Sequence, residues 1–169
     1  MTEPSLTTAR LWKGMTPEQR LAAAQAFWRD EQAADEQLQA VMLIAQAKKF
    51  RPKSVMALDL ERRGRQLASI GNMPEALAAR ALISYHLAER RPMMGAFLDA
   101  LGIAHENGVI QEDNVTPDVS KLAPAVAEVA RQYPATDVTL YLNTLLCQDP
   151  ETWSGLDEIL RDHPMSQLS

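Results

Sequence analysis

Apolar positions recur along most of this chain at three- and four-residue spacing, the period of helices that bury one face. Thr16-Pro17-Glu18-Gln19 places Thr at a cap, Pro at the first helical position and Gln three residues after the cap, a capping box with the favoured proline. The helix it opens runs to about Arg29 and is expected to bury Leu21, Ala24, Phe27 and Trp28. A second run, 34–50, carries Leu38, Val41, Met42 and Ala45 on one face. Leu43, Ile44 and Ala47 widen that arc, which predicts cover on more than one side. Arg51-Pro52 ends the run, because a residue before proline avoids the helical region. Ser54 is the expected cap of a third run, 55–70, striped by Met56, Leu60, Gly64 and Leu67. A glycine inside a helix costs about 1 kcal/mol relative to Ala. Close approach of a neighbouring helix at Gly64 would offset that cost, and Gly71 supplies the carboxyl-terminal cap.

Asn72 and Glu75 start a fourth helix, to about Arg90, that is apolar around most of its axis. Arg80 and Ser84 form its polar line, and it reads as the central helix of a bundle. A fifth helix, 93–101, shows Met94, Phe97, Leu98 and Leu101. The segment 102–117 breaks the pattern around the turn signal Asn107-Gly108. That turn either closes a small hairpin between 103–105 and 109–111 or caps an extended fifth helix. Thr116-Pro117-Asp118 opens the next helix, and Pro124 predicts a kink or a fresh start within it. Thr136 is the expected cap of a further helix, and Asp149-Pro150-Glu151 of the last, which ends near His163-Pro164. Residues 165–169 are expected to be a disordered tail. The expected fold is all-α: a compact bundle or array of seven or eight short antiparallel helices in a single domain. Within it, 1–15 form an amino-terminal arm, 16–91 a neutral-to-basic unit and 92–164 an acidic unit.

Composition agrees with helices. Of 169 residues, 25 are Ala and 21 Leu, against 14 Val and Ile together, which excludes an all-β fold. The net charge of −5 hides an asymmetry. Residues 1–91 hold 14 Lys and Arg with 10 Asp and Glu; residues 92–169 hold 3 and 12. An acidic chain gives no general reason to expect nucleic acid. The longest apolar stretch, 40–45, is far short of a membrane span, and a cytoplasmic location is the expectation. The single cysteine, Cys147, excludes an intramolecular disulfide and reads as a small buried hydrophobe.

Leu60, Gly64, Leu67, Gly71 and Ala76 fall at spacings that resemble part of a tetratricopeptide repeat. The resemblance covers about a fifth of the chain. Arg63 and Arg80 stand where that repeat has apolar residues, and no second copy follows at its 34-residue period.

Catalytic constellations are scarce. Glycine-rich phosphate loops, a nucleophile elbow and the zinc-protease and diiron patterns are missing, so no cofactor and no metal are implied. His86 with Glu89, and His105 with Glu106 near Glu112 and Asp113, are the weak candidates for acid–base work. They would serve a small-ligand- or metal-binding enzyme only if at least two of them converge. The stronger feature is a basic stretch: Lys48, Lys49, Arg51, Lys53, Arg62, Arg63 and Arg65. It would hold an acidic protein partner or, as a third option, the phosphates of a nucleic acid. The arm 6–15, with Leu6, Leu11 and Trp12, either folds back over the bundle or docks on a second subunit. The leading expectation is a non-enzymatic interaction or regulatory module, open to homo-oligomerisation.

Overall fold

Residues 7–162 are described by the structure, a computed structural model, and they are all-α apart from one two-stranded hairpin. Ten α-helices lie among them. In chain order these are α1 (Thr8–Gly14), α2 (Pro17–Arg29), α3 (Ala34–Lys48), α4 (Pro52–Ala57), α5 (Leu60–Ala68) and α6 (Glu75–Glu89). After α7 (Arg91–Leu101) come the strands β1 (His105–Glu106) and β2 (Val109–Ile110), then α8 (Val119–Gln132), α9 (Ala135–Gln148) and α10 (Ser154–Asp162). The count exceeds the expected seven or eight because the arm is itself helical and the third run breaks in two. Leu6, His163 and the tail 165–169 lie outside the described residues.

The chain divides into two units, Thr7–Ala88 and residues 89–162. The division falls close to where the charge balance changes sign.

In the first unit, Thr7 caps α1 by accepting the Arg10 N–H, and the arm folds back. Leu11 and Trp12 are completely buried, and Trp12 Nε1–H donates to the Ile70 carbonyl at 2.8 Å. Thr8 Oγ1 donates to the Glu75 carbonyl at 2.9 Å, a second tie between distant segments. The capping box forms at Thr16 and Gln19. α2 packs along α5 at Gly64, where an added Cβ would sit 2.9 Å from Gln25 Cγ. The glycine therefore lets α2 and α5 approach. That places its contact on α2, whereas the tetratricopeptide likeness would spend it on the following helix.

The third run is not one helix. Leu58 is extended and Asp59 caps a fresh start, accepting the Arg62 N–H at 2.8 Å. Arg63 holds the break: its guanidinium donates to the carbonyls of Met56 (3.0 Å) and Leu58 (2.9 Å) and lies 5.2 Å from the Trp28 ring. Ser54 lies inside α4 and caps nothing. α3 stops at Lys49, whose φ of 57° is left-handed. It buries one side only, through Ala40, Val41, Ile44 and Ala45, while Leu38, Met42 and Ala47 face solvent. The expectation of cover on several sides is corrected accordingly. The polar line of α6 meets Asp30, whose carboxylate accepts from Ser84 Oγ at 2.7 Å and from Arg80.

In the second unit the hairpin reading of Asn107-Gly108 is the one realised. β1 and β2 are antiparallel, His105 opposite Ile110 and Glu106 opposite Val109. Asn107 and Gly108 both take positive φ, as a tight two-residue hairpin turn requires. α7 buries Met93, Met94, Phe97, Leu98 and Leu101, with Phe97 edge-on to Tyr141. α8 runs through Pro124 as one helix, so of the expected kink or fresh start the fresh start is not realised. α9 begins at Ala135, so Thr136 sits in its first turn instead of capping it. Asp137 through Thr144 are eight successive buried residues of α9, and Arg90 pairs with Asp137 at 3.2 Å.

Candidate functional site

The two histidine candidates have structural surroundings. His86 is buried on α6, its Nδ1–H donating to the Leu82 carbonyl at 2.8 Å, while Glu89, three residues on, is exposed. They do not share a surface. His105 uses both ring nitrogens: Nδ1 accepts the Gly108 N–H at 3.0 Å, and Nε2 lies 2.7 Å from Asp99 Oδ1. An Nδ1 acceptor fixes the proton on Nε2, where it points at the carboxylate. The ring rests on Gly95 of α7, whose added Cβ would stand 3.2 Å from His105 Cε1. Gly108 is likewise hemmed in, with Arg91 O and Met94 Cβ each 3.0 Å from the place of a Cβ. His105 thus clips the hairpin to α7. Glu106, Glu112 and Asp113 are exposed. Among the described residues, no three His, Cys, Asp or Glu side chains gather to hold a metal ion.

The basic stretch sorts itself by geometry. Arg65 pairs with Glu61 and Arg62 stands 3.9 Å from Asp59, both fully in water, where such pairs contribute little. Arg63 is engaged at the α4–α5 break and under Trp28, so it leaves the partner-binding set. Leu11 and Trp12 leave it too, because folding back buries them. Lys48, Lys49, Arg51 and Lys53 remain, all exposed, and none takes part in an ion pair among the described residues.

Exposed apolar side chains lie on the same stretch of chain as these cations. Leu38 (61% exposed) and Met42 (59%) lie on α3, Met56 (58%) on α4, with Phe50 between those helices and Leu60 at the start of α5. α4 packs on α3, and α5 also meets α3. Periodicity assigned four of these residues to core stripes, since spacing identifies an apolar face but not what covers it. One signal was available: Leu38 and Met42, four residues apart, share a side of α3 with Asp35, a charged neighbour on the same arc.

No protein-family model, curated protein or solved structure matches the chain.

Proposed function

We propose that this chain is a protein–protein interaction module, acting in the cytoplasm, whose docking face is formed by α3, α4 and α5. The observation that supports it is that exposed Leu38, Met42, Phe50, Met56 and Leu60 share α3, α4, α5 and their junctions with four exposed cations that make no ion pair among the described residues. Cations alone would suit a phosphate backbone. Large apolar side chains gain only from a surface that removes them from water, each by about 1.5–3 kcal/mol when fully covered. Methionine adapts to a partner's shape because its side chain is unbranched and polarizable, and two of the five are Met. The surrounding charge would steer the encounter and select an acidic partner.

A photo-crosslinking residue placed at Met42, with a second at exposed Glu18 on α2 as control, tests this in the native host. The expected result is a defined protein adduct from position 42, none from position 18, and loss of the adduct in Lys48→Glu/Lys53→Glu. Equal labelling from both positions, or none from either, overturns the reading.

A further inference from the structure

We propose that the occupant of this face is a second copy of the chain, with residues 112–119 of one copy seated on α3–α5 of the next. The proposal rests on the reading of α3–α5 as a docking face. Two such faces meeting each other would bring Lys48, Lys49, Arg51 and Lys53 towards their own copies, which like-charge repulsion opposes. A contact between unlike surfaces avoids that, and the chain carries an acidic complement, with 12 acidic against 3 basic residues beyond residue 91.

Within that acidic part, residues 112–119 fit best. They follow the hairpin and lead into α8, and they contain Glu112, Asp113 and Asp118 with no Lys or Arg. All three carboxylates are exposed. Beside them Val119 is 71% exposed, more than any other large apolar side chain among the described residues. The segment therefore repeats, with opposite charge, the pairing of exposed apolar and ionised groups found on α3–α5. Both of its ends are anchored. The hairpin before it is clipped to α7 by His105, and Asp118 caps α8 by accepting from the N–H and Oγ of Ser120. Those bonds hold the Asp118 carboxyl below its ordinary range. An anchored segment loses little further freedom on docking, which favours association.

A contact between unlike surfaces is made twice in a reciprocal dimer and once per junction in a ring or filament. It weakens with salt, since the screening length falls to about 3 Å at 1 M.

Sedimentation of the full chain across a concentration series tests this, with two neutralised variants. One is Met42→Gln/Lys48→Gln/Lys49→Gln; the other is Glu112→Gln/Asp113→Asn/Val119→Asn. Every substitution is at an exposed position, and circular dichroism checks that each variant folds. The native chain is expected to exceed monomer mass at low salt and dissociate at high salt. Each variant alone is expected to self-associate about tenfold more weakly or worse. An equimolar mixture of the two retains one intact pairing of surfaces and is expected to stop at a heterodimer. A native chain that stays monomeric at every concentration overturns the proposal. So does association that either variant leaves unchanged, a mixture that fails to pair, or a native chain that is monomeric but binds a single-stranded RNA oligonucleotide. The crosslink at position 42 is read separately: an adduct to a different protein, with a monomeric native chain, removes the self-association and keeps the interaction module.

Discussion

Asp30 joins its own turn to α6 through one carboxylate. It accepts from Gln32 N–H in its own turn and from Arg80 and Ser84, one helical turn apart on α6. Burial disfavours its charge, but the hydrogen bonds from Ser84, Arg80 and Gln32 and the Arg80 charge outweigh that. The carboxyl consequently titrates below its ordinary value of 3.8. A depressed folded-state value contributes stability above the unfolded value, and that contribution fades as pH falls through the folded one. Asp30→Asn is expected to lose about 1–3 kcal/mol at neutral pH. The gap between variant and native urea midpoints is expected to close below pH 3.8, and a gap independent of pH would show that the charge contributes nothing. The polar line Arg80–Ser84 is visible in the sequence from its four-residue spacing. Its partner is not, because no local pattern links Asp30 to a helix fifty residues on.

At the scale of the element, local chemistry was legible and tertiary choices were not. The capping box at Thr16 and the turn at Asn107-Gly108 are written in neighbouring residues, and both form. The break at Leu58 depends on Arg63 reaching back to two carbonyls while lying against Trp28, a residue thirty-five positions earlier. Periodicity alone ran straight through it. The same limit applies to the candidate site: the cations were read as a surface, while their apolar neighbours were read as core. Pro124 is the opposite case, a breaker overruled by packing. α8 continues past it with Leu122, Ala125, Val126 and Val129 buried, although proline offers the Ser120 carbonyl no N–H. A proline inside a helix costs about 3 kcal/mol relative to Ala. Since Pro124 is exposed, Pro124→Ala is expected to raise unfolding stability by about 1–3 kcal/mol, part of the gain being lost to a freer unfolded chain. An unchanged or lower denaturant midpoint would show that Pro124 does not weaken α8.

For the whole molecule, the fold positions function by what it leaves outside. The first unit buries Leu11 and Trp12, ties half-buried Arg63 to the α4–α5 break and leaves Lys48 to Lys53 exposed. The second withdraws His105 into a clip and leaves residues 112–119 exposed apart from half-buried Val115 and buried Pro117. Charge and apolar exposure thus coincide on α3–α5 in the first unit and on residues 112–119 in the second, while other helices are covered more completely. Among those helices α9 has a particular consequence. Eight successive residues without a solvent face mean that no ripple of the surface brings water to their peptide groups. In a deuterium-exchange time course, the amides of residues 141–144 are expected to be the last of their unit to take up label, through global opening alone. Those few protons would then serve as a clock for the stability of the unit, read without denaturant, against which every surface substitution can be timed.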